Sequence, residues 1–152
     1  MLRRNLINLR SCKILNYGDG SFANEEDEKS QFGTVYGLSH HPDLVALGKF
    51  QYVLPIGWQS ATIKRIVRST LGAEAYATSE STESSILIAQ LLTEFSLRRT
   101  ESRKAKDIED KAEKRGIVVF TDSDSIFKTV LSDKKASNDK RLRIVISALR
   151  QY

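Results

Sequence analysis

The chain has 152 residues, 40% of them hydrophobic and 28% charged. That suits one compact domain with a real core, and no apolar run approaches the roughly 20 residues of a membrane span. A formal net charge of +5 and a pI of about 9.4 favour polyanionic partners, nucleic acid above all. The N-terminus, MLRRNLINLR, lacks the long apolar core and small-residue cleavage site of a signal peptide. A single cysteine, Cys12, cannot form an internal disulfide, so a reducing intracellular compartment, cytoplasmic or nuclear, is expected. Cys12 itself reads as a small core or strand residue.

Residues 1–11 read as a basic lead-in or as the tail of an element cut from a longer protein. Lys13–Tyr17 forms a short strand candidate, followed by Gly18-Asp19-Gly20-Ser21, where glycines on either side let the backbone turn and keep bulk off the carboxylate. Asn24–Lys29 is an acidic polar turn. Phe32–Leu38 is a second strand, rich in β-branched and aromatic residues. His40–Gly48 reads as a loop with solvent histidines, and Phe50–Trp58 as a third strand. Pro55 cannot donate to a sheet ladder, which puts that strand at an edge. Trp58 and Tyr76 read as core residues.

Gln59–Arg68 is a polar and basic connection into the longest helix, which runs from Ser69 or Thr70 to about Phe95 without a proline. Ser69 or Thr70 serves as its N-cap, and Ile88, Leu91, Leu92 and Phe95 recur at helical spacing. Arg98–Arg115 is densely charged with mixed sign. It reads as a solvated loop or ragged helix extension, with a basic handle on a nucleic-acid backbone as the alternative. Gly116–Asp122, GIVVFTD, has the continuous apolar run of a fully buried central strand. Ser123–Leu131 is helical, with Ile126, Phe127 and Val130 on one face. Ser137 or Asn138 could cap a last helix reaching Tyr152, whose stripe is Leu142, Val145, Ile146 and Leu149.

The order strand, strand, strand, helix, strand, helix, helix predicts an antiparallel meander plus a crossover to a parallel fourth strand. If that strand pairs with the first, Asp19 and Asp122 become neighbours and the helix bearing Glu74 packs across them. Glu74 sits among Gly72, Ala73, Ala75 and Ala77, small residues that permit close approach; a carboxylate held there needs a partner to neutralise it. Three converging carboxylates call for cations, and oxygen-only ligation suits Mg²⁺ or Mn²⁺. Each acid also has an ordinary reading: Asp19 as a turn residue, Glu74 as a helix-surface glutamate, Asp122 as an N-cap. No phosphate-binding glycine loop, zinc spacing or nucleophile elbow is present.

The runs YGDGSFAN (Tyr17–Asn24), KSQFGTVYGL (Lys29–Leu38), LPIGWQSATIKRIVRSTLGAEAYATSEST (Leu54–Thr82), VVFTDSDSIF (Val118–Phe127) and DKRLRIVISALRQ (Asp139–Gln151) occur in this order. Together they resemble the ribonuclease H domain of copia-type LTR retrotransposon polyproteins, over about residues 12–151. The resemblance implies an α/β ribonuclease H-like fold, ancestrally joined to reverse transcriptase in a polyprotein, hydrolysing the RNA strand of RNA–DNA hybrids. It implies a two-metal site, ions about 3.5–4 Å apart, with Asp19, Glu74 and Asp122 as ligands. Asp124 matches a position that is more often polar than a ligand. Lys64, Arg65 and Arg68, just before the Glu74 helix, are the candidate phosphate contacts, with an ordinary solvated basic loop as the other reading.

A fourth acid usually completes the family's site. Val145 stands where close relatives carry Asp, and the other usual Asp belongs to an Ala-Asp motif beyond the last helix. The expectation is therefore of a C-terminally truncated domain over residues 12–152. It is either an enzyme working with three acids or a catalytically dead nucleic-acid-binding or structural remnant.

Overall fold

The computed structural model describes residues 7–23, 29–97, 104–132 and 139–151. The expected turn at Asn24–Lys29, the first half of Arg98–Arg115 and the candidate caps Ser137 and Asn138 fall largely or wholly outside them. The elements are β1 (Lys13–Ser21), β2 (Gln31–Ser39), α1 (Pro42–Ala46), β3 (Leu54–Thr62), α2 (Thr70–Ser96), α3 (Ala105–Glu113), β4 (Ile117–Phe120), α4 (Asp124–Leu131) and α5 (Lys140–Leu149).

The four strands form one mixed sheet in the order β3-β2-β1-β4, with β4 parallel to β1. This is the α/β arrangement expected of a ribonuclease H-like chain. Ile63 N–H donates to the Ser30 carbonyl at 2.7 Å, joining the end of β3 to the start of β2 as antiparallel neighbours require. Pro55 lies on an edge strand, as its missing donor demands.

The chain divides into two compact units, each strand and α2 contributing a stretch to both. One unit comprises residues 1–16, 36–57 and 83–118. Its core gathers Cys12, Ile14, Leu38, Ala89 and Ala112, with Ile88, Leu92 and Ile117 packed against them. The other comprises residues 17–35, 58–82 and 119–152. Its core joins Phe32, Ile63, Ala73, Ala75, Tyr76 and Ala77 to Ile126, Leu142, Val145, Ile146 and Leu149. The α5 stripe is thus buried as its spacing requires.

Helix ends follow local chemistry. Ser69 Oγ accepts from the Gly72 N–H at 3.1 Å and starts α2. Ser123 Oγ accepts from Ile126 N–H and starts α4, so Asp122 is left free of the capping role. Asp139 Oδ1 accepts from Arg141 and Leu142 N–H and starts α5, in place of Ser137 or Asn138. Arg150 then reaches back to the Thr129 and Val130 carbonyls at 2.8 and 3.1 Å, satisfying the open C-terminal end of α4.

Several expectations are corrected. β1 does not turn at Gly18–Ser21 but continues through it. β3 starts four residues later than expected, leaving Phe50–Val53 outside the sheet. Trp58 is 83% exposed rather than core, because an edge strand offers a bulky residue little to pack against. β4 is an edge strand, half-exposed along its length, rather than a fully buried central one. The loop after His40 contains the short helix α1. The late α2 stripe is only partly covered: Leu91 and Phe95 are exposed while Ala89 and Thr93 are buried. His40 is not simply solvated, since its Nε2 accepts from the Asn8 N–H. Residues 105–113 form a separate helix with Ala112 as its buried residue.

Candidate functional site

All three acids lie in the second unit. Asp19 sits in β1 between Gly18 and Gly20, Asp122 two residues past the end of β4, and Glu74 in the second turn of α2. The glycines are explained by α2 rather than by a turn. A Cβ on Gly20 would lie 2.7 Å from the Ala73 carbonyl oxygen, and one on Gly18 would lie 2.9 Å from Ser81 Oγ. Both are closer than real Cβ atoms come to such neighbours. The sequence alternates accordingly: Tyr17 and Asp19 are exposed while Gly18 and Gly20 are covered by the helix.

Residues 72–79 of α2 are all buried, and most are small. That close packing carries Glu74 to the end of β1. One oxygen from each of Asp19, Glu74 and Asp122 lies within 4.8 Å of the others. Asp19 and Asp122 are exposed, whereas Glu74 is only 9% exposed. Burial pushes the Glu74 carboxyl above its ordinary value, and the nearby Asp19 and then Asp122 push it further in the same direction. A hydrogen bond from the Gly20 N–H opposes that rise by favouring the charged form. Glu74 Oε2 is buried and has no hydrogen-bond partner.

Such an orphaned acceptor is an expensive feature in a close-packed interior. Together with two further carboxylates it fits a hard divalent cation, which neutralises the repulsion and uses the unmatched oxygen. Three clustered acids could therefore bind metal ions. Among the described residues no fourth acid joins them. Val145 is 9% exposed within the apolar core of Ile126, Leu142 and Ile146. Asp124 pairs instead with Lys128 one turn along α4, both side chains being exposed.

Lys64, Arg65 and Arg68 lie exposed between β3 and α2. The Arg65 guanidinium sits 5.5 Å from the centre of the Tyr76 ring, a cation–π contact that ties this connection to the turn carrying Glu74. One feature of the site escaped sequence reasoning. Tyr17, 57% exposed, stacks on Phe120 with ring centres 5.3 Å apart and planes 7° from parallel. Each aromatic is two residues before one of the acids, a spacing that was readable once β1 and β4 were known to be neighbours.

No family model and no curated protein matches the chain. Among solved structures, the chain is similar to one from the crystal structure of prototype foamy virus protease–reverse transcriptase. Identity is 9% and the TM-score is 0.34; the match covers 94% of this chain and 21% of that one. This chain thus spans about a fifth of the length of the protein it matches.

Proposed function

We propose that this chain is a ribonuclease H-like domain of copia-type retrotransposon descent that hydrolyses the RNA strand of RNA–DNA hybrids with Mg²⁺ or Mn²⁺. The observation that carries this reading is the convergence of Asp19, Glu74 and Asp122, with the Glu74 Oε2 buried and unmatched. The ordered motifs that resemble the copia domain supply the substrate class, and the net charge of +5 suits a polyanion.

In this reading the three carboxylates hold the cations. When bound, the cations supply Lewis-acid stabilisation of an in-line displacement at phosphorus. Gly20 N–H fixes the Glu74 carboxylate. The small residues of α2 let the helix approach β1 closely enough for the cluster to form. Lys64, Arg65 and Arg68 contact the hybrid backbone, recognising phosphates and 2′-hydroxyls rather than base sequence.

The second reading is a non-catalytic, nucleic-acid-binding remnant of the same fold. It is favoured by Val145, which occupies the core where relatives carry a fourth acid. The deciding experiment is Mg²⁺- or Mn²⁺-dependent cleavage of a labelled RNA–DNA hybrid, with Asp122→Asn as control. Cleavage that disappears in Asp122→Asn is the expected result. A folded protein that binds the hybrid without cutting it establishes the remnant instead.

A further inference from the structure

The unit that does not contain the three acids has a hollow of about 310 Å³. Among the described residues its lining includes four cationic side chains, Arg10, Lys111, Lys114 and Arg115, and two hydroxyl residues, Thr93 and Ser96, but no carboxylate. The cations come from two segments: Arg10 from the lead-in to β1, and Lys111, Lys114 and Arg115 from the end of α3 and the turn just beyond it. The convergence that helix spacing alone does not produce is that of Arg10 with the other three.

Arg115 is the fixed point. Its Nε–H donates to Thr93 Oγ1 and one Nη2–H to Ser96 Oγ, each at 3.4 Å. Its Nη1 donates to the Leu9 and Cys12 carbonyls. Ser96 Oγ in turn donates to the Thr93 carbonyl at 2.9 Å, so its lone pairs face the arginine. A guanidinium has five N–H donors. Four are committed to these acceptors, which orients the group and leaves one free. Each of these partners is neutral, so among the described residues no carboxylate pairs with this half-buried positive charge. A concave wall with a half-buried, oriented cation and the exposed Arg10 and Lys114 beside it makes a positive site.

We infer that this hollow binds a phosphate group, with Arg115 as the positioned anchor and Arg10 and Lys114 as the surrounding donors. The oxygens of a phosphate group accept the charge-assisted hydrogen bonds that arginine and lysine donate. A concave pocket of this size admits a terminal phosphate or a free anion. The two sources of the same chemistry are thus the phosphorylated end of a nucleic-acid strand and free inorganic phosphate. The site does not depend on the three acids, and its test reads binding rather than cleavage.

The experiment is calorimetric titration of the full chain with inorganic phosphate, then with a short single strand carrying either a 5′-phosphate or a 5′-hydroxyl. The Arg10→Gln/Lys114→Gln double variant alters exposed side chains and leaves the Arg115 bonds in place; circular dichroism verifies that it folds. Lys49→Gln/Lys140→Gln, at two exposed lysines outside both the hollow and the hybrid-contacting connection, is the control for general loss of charge. Phosphate binding that weakens at least tenfold in the first variant and less than twofold in the second is expected. Tighter binding of the 5′-phosphorylated strand than of the 5′-hydroxyl strand then identifies a strand end as the ligand. Equal binding of the two strands identifies the free anion. No binding of inorganic phosphate, or equal loss in both double variants, overturns the inference.

Discussion

Glu74→Gln separates the electrostatics of the acidic cluster from its packing. Glutamine keeps the shape of the side chain, and its amide oxygen can still accept from the Gly20 N–H. What it removes is one negative charge from a group of three whose oxygens lie within 4.8 Å. At that separation a pair of unit charges repels by about 3 kcal/mol at an effective dielectric of about 20, and by about 1 kcal/mol in bulk water. Asp19 and Asp122 are exposed, which draws each pair toward the lower figure. The variant is therefore expected to be more stable than the parent without metal at about pH 8, by about 1–3 kcal/mol, or roughly 2–10 °C in Tm.

The pH dependence follows from the raised Glu74 value. The native carboxyl holds its proton to higher pH than the unfolded one, so its stabilising contribution is full below about the ordinary value of 4.5. It is lost as pH rises from there through the raised native value. Parent stability should fall across that window relative to Glu74→Gln, which has no carboxyl there. Thermal melts from about pH 4 to pH 8, with chelator and with about 10 mM Mg²⁺, test both statements. Mg²⁺ should raise the parent Tm, more at pH 8 than at pH 5, and should raise that of the variant far less. A variant less stable than the parent in chelator at pH 8, or equal Mg²⁺ shifts in the two proteins, would refute the electrostatic argument.

Gly20→Ala sets a Cβ 2.7 Å from the Ala73 carbonyl and forces β1 and α2 apart, so urea unfolding should show a loss of about 1–3 kcal/mol. The same variant should weaken Mg²⁺ stabilisation, because the Gly20 N–H no longer meets Glu74. Asp124→Asn should leave both hybrid cleavage and stability within about 0.5 kcal/mol of the parent, since its Lys128 pair is an exposed i,i+4 contact; loss of cleavage would make it a fourth ligand. Val145→Asp puts an unpaired carboxylate into the core beside Leu142 and Ile146, for an expected loss of about 3–5 kcal/mol. If Mg²⁺ returns that stability, the position reaches the metal centre after all; if only acid returns it, the position is core.

The elements carried by local chemistry were legible in the sequence. The start of α2 follows from Ser69, and the α5 stripe follows from Leu142, Val145, Ile146 and Leu149; both stand where the pattern put them. Glu74 stood out because the small residues around it permit close approach of another element, though a helix-surface glutamate fitted the same sequence and the resemblance supplied the ligand role. Asp19 and Asp122 were found as acids at the ends of strand-like runs. Their meeting required only that the fourth strand lie parallel to the first, the pairing that the sheet's strand order and direction bear out.

What the sequence concealed depends on neighbours distant along the chain. Gly18 and Gly20 read as a turn because glycine relaxes the backbone locally. Their role is to leave room for Ala73 and Ser81, more than fifty residues away. Trp58 and the GIVVF run read as buried because they are apolar. Burial, however, belongs to a strand's place in the sheet, and β3 and β4 occupy its two edges. The same distinction bears on the site itself. Carboxylates at the right spacing state which groups can meet, while the 9% exposure of Glu74 and its unmatched Oε2 state what their meeting requires. A surface triad of acids would be content with water. One with a buried member must protonate, bind a cation or lose stability, and the response of Glu74→Gln to pH and Mg²⁺ distinguishes these outcomes.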